Sequence, residues 1–220
     1  RVVVACSCPG RAPGLTRWKP SRVRKQQARK PLGIDVDMVR IRRAEVKDSA
    51  ALAGVQVDSY RAAYVGVLPQ PYLDHFTYQE QEHDWRDLLS TRAKDEIYVA
   101  ETTGGEIVGC VLGRAGSSEI PPYDAEIVSL HVRRDYQRRG TGRRLIATIA
   151  RRLEQQGSTA LIVWVLQENP ARAMYEKLGG LTIGEKPWDG NEQFGVQVKE
   201  VAYGWRNLKE LQVRSGHSVA

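Results

Sequence analysis

Apolar residues along the chain switch between the two-residue spacing of strands and the three- to four-residue spacing of helices. In the first half this pattern predicts one strand, two helical stretches and three further strands. The predicted elements cover residues 38–43, 48–64, 69–89, 96–102, 106–112 and 125–132. Asp48 is the expected N-cap of the first helix, and Thr103-Gly104-Gly105 predicts a hairpin between two of the strands.

The second half of the pattern alternates helices with strands. Helical spacing covers 145–153, and the unbroken apolar run at 160–166 is typical of a strand that is covered on both faces. A helix of about four turns connects 125–132 to 160–166, so these strands should be parallel neighbours. The last predicted elements are a short helix at 169–178 and a closing hairpin from 181–185 and 196–204.

The formal net charge of +7 belongs to the N-terminal segment. Residues 1–37 hold nine Lys/Arg and two Asp/Glu, whereas residues 38–220 hold 24 of each sign. Four prolines and little apolar periodicity predict that this segment is a disordered basic extension without a role in the chemistry. A transit peptide and a nucleic-acid-binding arm are the alternatives. Because residues 38–220 are neutral overall, no nucleic-acid partner is expected.

The cysteines, the histidines and the lengths of the apolar runs bear on metal binding, on the redox compartment and on membrane spans. Cys6 and Cys8 lack the spacing of a zinc site, and Cys110 lies in a predicted strand as a buried thiol. This usage favours a reducing, cytoplasmic compartment. His75 and the other histidines show no metal-ligand spacing, so no metal is expected. No apolar run is long enough to span a membrane, and no membrane partner is expected.

A basic glycine turn joins the strand at 125–132 to the helix that follows it. It reads Gln137-Arg138-Arg139-Gly140-Thr141-Gly142-Arg143-Arg144. The glycines let a ligand approach the backbone, and the first helical N–H groups point outwards with the positive end of the helix dipole. The turn therefore predicts a phosphate site. It is not a P-loop, which needs a Lys-Ser or Lys-Thr, nor a dinucleotide fingerprint, because Leu145 stands where the third glycine belongs.

The pattern Q-x-x-G-x-G after a strand that ends in L-x-V resembles the GNAT superfamily of acyl-CoA-dependent N-acyltransferases. A second stretch, A-R-A-M-Y-E-K-L-G at 171–179, is similar to the last motif of that family. The resemblance covers about residues 38–208 and leaves 209–220 as a C-terminal tail. It implies an α+β domain in three αβα layers, with a mixed, mostly antiparallel sheet. The central parallel strand pair of that sheet would splay around the coenzyme A site.

The resemblance also implies that acetyl-CoA is the co-substrate. In the family, the glycine turn takes the pyrophosphate of coenzyme A, which assigns Gln137 and the backbone of Arg138–Arg144 to the cofactor. The strand residues that would line the cofactor are Leu130, His131 and Val132, and a strand N–H near Leu130 or Val132 would contact the oxyanion.

Asn169 would contact the pantetheine arm by the same resemblance. It departs from the family pattern, because it lies six residues before Tyr175 instead of the usual seven. Glu168 occupies the usual position. Gly180 also stands where an aromatic residue is common in the family.

Tyr175 and Glu126 are the candidate catalytic residues. The resemblance places Tyr175 beside the thioester sulfur, and a phenol of pKa about 10 is a plausible donor to a thiolate of pKa about 8.5. Glu126 lies four residues before Leu130, where some family members have a base, and is expected to take the proton of the amine. His131 is the competing base, although strand alternation points it opposite Leu130 unless a bulge intervenes.

The predicted function is N-acetyltransfer from acetyl-CoA to an amine by direct attack in a ternary complex. The alternative is a catalytically silent coenzyme A-binding sensor or scaffold. Small-molecule and peptide amines both remain open as acceptors, and the resemblance suggests a homodimer. It also places the acceptor between the first two helices and the last hairpin loop, near Tyr60, Tyr64, Leu68, Trp188, Asp189 and Phe194.

Overall fold

The computed structural model describes residues 4–6, 39–91, 95–116 and 118–214, with the backbone alone at 4–6 and 213–214. The strands are β1 (Val4–Cys6), β2 (Val39–Arg43), β3 (Asp95–Thr102), β4 (Ile107–Ala115), β5 (Ala125–Val132), β6 (Leu161–Leu166), β7 (Leu181–Pro187) and β8 (Lys199–Trp205). The helices are α1 (Ser49–Tyr64), α2 (Gln70–His75), α3 (Tyr78–Thr91), α4 (Thr141–Gln155), α5 (Arg172–Lys177), α6 (Asn191–Phe194) and α7 (Leu208–Arg214).

Seven strands form one mixed sheet in the order β2-β3-β4-β5-β6-β8-β7, and β1 pairs with β5 off this path. β5 and β6 run parallel, whereas the other neighbouring strands of the described chain run antiparallel. The helix between β5 and β6 is α4, as the apolar spacing predicts. The fold class predicted from the sequence is confirmed.

The central parallel pair is short. Ala125–Ile127 of β5 pair with Leu161–Val163 of β6, and the ladder ends there. The register between β4 and β5 shifts by one residue between Leu112 and Gly113, which is a bulge that bends β5. A cleft therefore opens between the carboxyl-terminal halves of β5 and β6, at the edge of the sheet where α4 begins.

Helices cover both faces of the sheet around this cleft. On one face, Ile127, Leu130 and Val132 of β5 share the largest apolar cluster with residues of α4 and α7. On the opposite face, residues of α1 and α3 pack against β3 and β4. Gly113 of β4 lets α4 lie close to the sheet, because a Cβ at this position would be 2.4 Å from Ile149. The two faces of β5 are called its α4 side and its α1 side below.

The observed bounds differ from the predicted ones at several places. Asp48 does not cap α1 through its side chain; it accepts hydrogen bonds from the Glu45 amide and Arg42, so it closes the preceding 3-10 turn. The helix predicted at 169–178 covers 172–177, because Asn169 forms a capping turn. α7 extends from Leu208 into the predicted C-terminal tail, and its Leu211 is buried.

Most of the segment 1–37 lies outside the described residues. The predicted disorder of this segment therefore also falls outside the part of the chain that the structure describes. The exception is the backbone of β1, which lies beside β5. In the described part of the chain, no helix is both long and apolar enough to cross a membrane.

Candidate active site

The basic glycine turn lies at the open end of the cleft. Gln137 anchors it, because its side-chain amide donates a hydrogen bond to the Val132 carbonyl at the end of β5, at 2.8 Å. Arg138 and Gly140 both have positive φ, of 60° and 84°, and at Gly140 this left-handed backbone favours glycine. The Arg144 amide donates to the Gly140 carbonyl at 3.0 Å, which starts α4. No side chain of Gly140 can cap the helix, so its first amides remain available to an external acceptor.

The charge around these amides is positive. The side chains of Arg138, Arg139 and Arg143 are exposed, and Arg144 is half-buried. At Gly142 a Cβ would meet only ordinary contacts, the nearest being Met174 Sδ at 3.5 Å. The glycine is therefore not required by packing within the chain, and its missing side chain keeps the helix N-terminus open. This arrangement is suited to an anion, as the sequence predicts.

The wall of the cleft on the α4 side contains Tyr175. Its ring lies in the apolar cluster, with ring centroids 5.8 Å from Tyr203 and 6.0 Å from Trp205. The phenol is fully buried, and its oxygen has no hydrogen-bond partner among the described residues. Burial raises the pKa of Tyr175, so the phenol is protonated at neutral pH and can donate.

The wall on the α1 side is polar. Ser129 and His131 alternate with Leu130 and Val132, and both are buried. His131 Nδ1 lies 3.0 Å from Ser59 Oγ on α1, which places the imidazole on the side opposite Leu130, as strand alternation predicts. His131 Nε2 and Ser129 Oγ have no hydrogen-bond partner in the described chain. Burial lowers the pKa of His131 to about 3, so the ring is neutral.

Glu126 lies at the closed end of the cleft. It is half-buried, and its backbone neighbours are Arg114 on β4 and Ile162 on β6. Ile127 belongs to the α4 side, so alternation puts Glu126 on the α1 side with Ser129 and His131. The two predicted catalytic residues therefore lie on opposite sides of the sheet, and Glu126 is within the short ladder between β5 and β6.

Asn169 has structural contacts at the end of β6. Its Oδ1 accepts a hydrogen bond from the Ala171 amide at 2.8 Å, and its Nδ2 donates to Tyr64 Oη at 2.7 Å. These bonds connect the start of α5 to α1.

Gly180, where the family commonly has an aromatic residue, leaves room for Trp205, because a Cβ there would be 2.7 Å from the indole ring.

The residues predicted to surround the acceptor do come together. Tyr60, Tyr64, Leu68 and Trp188 share one apolar cluster, with Phe194 packed against it. Tyr72 joins them, with ring centroids 4.9 Å from Trp188 and 5.3 Å from Phe194. Asp189 is exposed next to this aromatic cluster.

Sequence reasoning missed Ser59, Ser129 and Glu200. Glu200 on β8 is buried, and Lys186 Nζ lies 3.5 Å from its carboxylate. Burial raises the pKa of Glu200 to about 7, against the lowering effect of Lys186. Asp189 and Glu126 add to the rise, so all three carboxylates belong to one electrostatic environment. The available sequence signal for Glu200 was a carboxylate directly before the apolar residues of a predicted strand.

β1 occupies part of the cleft. Val4, Ala5 and Cys6 pair antiparallel with His131, Leu130 and Ser129, along the edge that β5 turns toward the cleft. β1 also approaches β6 and α1. The backbone groups of β5 that would contact a bound cofactor arm thus have a competing partner from the chain itself.

Among the described residues, no three His, Cys, Asp or Glu side chains are grouped closely enough to hold a metal ion.

Comparison with known proteins agrees with this architecture. Residues 58–180 match the acetyltransferase (GNAT) family. An uncharacterized N-acetyltransferase of Bacillus subtilis (strain 168), YuaI, is 33% identical over 175 residues, which cover 80% of this chain and 97% of the relative.

Solved structures share the fold at lower identity. PaiA N-acetyltransferase from Thermoplasma acidophilum, in complex with coenzyme A, has a TM-score of 0.59 at 15% identity and covers 77% of this chain and 99% of its own. Ribosomal-protein-alanine N-acetyltransferase from Brucella melitensis has a TM-score of 0.58 at 21% identity, with 76% and 98% covered. The family match spans more than half of the chain, and the Bacillus relative matches nearly over its whole length. The chain therefore belongs to the acetyltransferase (GNAT) family and is an acyltransferase.

Proposed function

We propose that the chain transfers an acetyl group from acetyl-CoA to an amine by direct attack in a ternary complex. The observation that carries this proposal is the combination of a basic, uncapped helix N-terminus with a cleft between two separating parallel strands. One wall of the cleft has a buried tyrosine whose hydroxyl bonds no described residue, and the other side has a carboxylate. Each part has a counterpart in acetyl-CoA.

The pyrophosphate fits the α4 N-terminus. Its negative charge would meet the amides from Arg138 to Arg144 and the surrounding arginines, where the helix dipole adds to the attraction. The pantetheine arm would then extend along β5 into the cleft and take the edge that β1 occupies. This arm carries amide groups, which can pair with the strand backbone as another strand does.

The reaction needs few protein groups. The amine nitrogen attacks the thioester carbon, the new C–N bond forms, and the C–S bond breaks. Glu126 takes the proton that the amine loses, directly or through water. The carbonyl oxygen gains negative charge, and the Leu130 amide is in the strand position to donate a hydrogen bond to it.

Tyr175 acts on the leaving group from the opposite side of the sheet. The phenol is protonated at neutral pH, so its proton is available when a thiolate forms beside it. The phenol then donates that proton to the sulfur, which leaves as coenzyme A thiol, and Tyr175 regains a proton from solvent. The positions of Tyr175 and Glu126 thus separate the two proton transfers in space.

The acceptor would enter on the α1 side, past the aromatic cluster around Tyr60 and Trp188. Small-molecule and peptide amines both fit this description. A cytoplasmic location and a homodimer are part of the proposal as expectations from the sequence and the family.

Release of free thiol from acetyl-CoA tests this function. The panel of acceptors contains butylamine, 1,4-diaminobutane, phenethylamine and a short peptide with a free N-terminus. We expect at least one amine to give thiol release and an acetylated product of the matching mass. Absence of release with every amine, together with absence of coenzyme A binding, would contradict the proposal.

A further inference from the structure

We propose that His131, held in place by Ser59, orients the attacking amine by accepting a hydrogen bond from its N–H group. His131 is then a positioning residue on the α1 side of the cleft. This inference rests on the proposed acetyl transfer, and it adds a role that the sequence did not indicate for Ser59.

The contacts of Ser59 determine which nitrogen of His131 carries the proton. Ser59 Oγ lies 3.0 Å from the Gln56 carbonyl and 3.0 Å from His131 Nδ1. A carbonyl only accepts hydrogen bonds, so the single hydroxyl proton of Ser59 is directed to Gln56. With the Ser59 proton on Gln56, the tautomer that completes the second contact carries its proton on Nδ1 and donates to Ser59 Oγ. This leaves Nε2 without a proton, as a hydrogen-bond acceptor.

That acceptor is buried and has no partner in the described chain, and Ser129 Oγ two residues earlier is in the same state. Buried polar atoms are normally satisfied, because an unpaired one loses its hydration without compensation. Two such atoms lie on the same side of one strand, on both sides of Leu130 in sequence. Their position points to a ligand or water with N–H or O–H groups on the α1 side of the cleft.

An amine attacking the thioester has the required N–H groups. Leu130 would hold the carbonyl oxygen, and Tyr175 lies across the sheet on the α4 side, so the amine would approach from the side of His131. A hydrogen bond from one N–H to Nε2 would direct the nitrogen lone pair toward the carbonyl carbon.

His131 is not suited to keep the proton itself. Burial lowers its pKa to about 3, far below the pKa of about 10.4 for an ordinary alkylammonium group. The neighbouring Cys110 of β4 stays neutral as well, because burial raises the pKa of its thiol to about 12. His131 therefore contributes orientation, and Glu126 keeps the role of base that the proposed function gives it.

Nitrogen NMR of the full-length chain tests the protonation state directly. The chain has four histidines, so 15N-labelled histidine gives a spectrum that can be assigned with a His131→Gln variant. We expect His131 to carry its proton on Nδ1 and to remain neutral from pH 8 to pH 5. A proton on Nε2, or titration of His131 near pH 6.5, would overturn the inference.

Kinetics of thiol release test the role. Ser59→Ala should lower kcat by about tenfold with an unchanged KM for acetyl-CoA, because the loosened imidazole no longer aligns the amine. His131→Leu should lose at least as much, and His131→Gln should recover part of the rate, because its side-chain oxygen can also accept a hydrogen bond. Ser49→Ala is the matched control, since Ser49 Oγ only donates to the Val46 carbonyl at the start of α1.

The outcomes separate this inference from the proposed function. An active parent chain whose Ser59→Ala variant releases thiol at the normal rate would overturn the role of His131 alone. A parent chain that neither binds acetyl-CoA nor releases thiol would overturn the proposed function, and the role of His131 with it. Thermal melts of both serine variants show whether a lost rate reflects lost folding.

Discussion

The glycine turn and the walls of the cleft are two regions of one site, and they are built differently. The turn is exposed, has backbone of positive φ at Arg138 and Gly140, and presents mainly backbone amides and positive charge. The walls are buried and belong to regular strands and helices. They contain polar atoms that have no hydrogen-bond partner among the described residues, at Ser129, His131 and Tyr175. We expect the turn to determine how tightly acetyl-CoA binds and the walls to determine how fast the acetyl group moves.

The largest expected effect is on acetyl-CoA binding and comes from a substitution in the glycine turn. Gly142→Glu puts an anion at the helix N-terminus, and like-charge contact with pyrophosphate should weaken acetyl-CoA binding by more than about a hundredfold. Folding should persist, because a Cβ at Gly142 meets only ordinary contacts. Isothermal titration calorimetry with acetyl-CoA measures the change. Gly104→Glu, in the turn between β3 and β4, adds the same charge away from the site and should bind normally.

Tyr175→Phe removes a hydroxyl group from the wall of the cleft and leaves the glycine turn unchanged. Loss of the proton donor should lower kcat by about a hundredfold, whereas acetyl-CoA affinity stays within about twofold. Stability should not fall, because the hydroxyl has no partner to lose in the described chain. Tyr203→Phe is the control: its hydroxyl bonds Arg172 and Glu176, so this change should reduce stability and spare the rate. Normal turnover by Tyr175→Phe would show that another group protonates the sulfur.

The competition between β1 and the cofactor predicts a smaller effect. β1 pairs with the same residues of β5 that the pantetheine arm would use. Deleting residues 1–8 should therefore increase acetyl-CoA affinity by up to about tenfold, because the cofactor no longer has to displace β1 from β5. Calorimetry of the full and shortened chains measures it. Equal or weaker binding by the shortened chain would show that β1 does not compete.

The smallest effect concerns the acidic environment around Glu200. Its pKa of about 7 is above the ordinary 4.5, so the folded chain holds this proton more tightly than the unfolded chain. The associated stability is complete below about pH 4.5 and is lost as pH rises through about 7. Glu200→Gln should therefore be more stable than the parent at pH 8, on the order of 1 kcal/mol, with little difference at pH 4. Urea unfolding at both values measures this, and a less stable variant at pH 8 would mean that the Lys186 contact dominates.

The same contrast explains what the sequence could predict. The turn could be predicted from the sequence because its features are consecutive: glycines, arginines and a helix start directly follow a strand. The parallel pair of β5 and β6 is readable for a similar reason, since one helix connects two apolar runs. These local patterns are sufficient for the fold class, which the structure confirms.

The walls depend on contacts that no local pattern encodes. Ser59 and His131 are 72 positions apart and meet only because α1 covers the α1 side of β5. Trp205 fills the space next to Gly180 from another strand. The motif assigns Asn169 to the cofactor but does not predict the hydrogen bonds of its side-chain amide with Ala171 and Tyr64. Side-chain partners of this kind follow from strand register and helix placement, which apolar spacing does not specify.

Thermal denaturation with added acetyl-CoA tests the central claim most directly. The parent chain and Gly142→Glu are melted with acetyl-CoA, coenzyme A and NAD in turn. A ligand at a hundred times its dissociation constant stabilises a protein by about 2.7 kcal/mol, which gives a visible shift of the melting temperature. We predict a shift of the parent chain with acetyl-CoA and coenzyme A, no shift with NAD, and no shift of the variant. A parent chain that melts at the same temperature with and without acetyl-CoA would contradict the assignment of the turn and cleft.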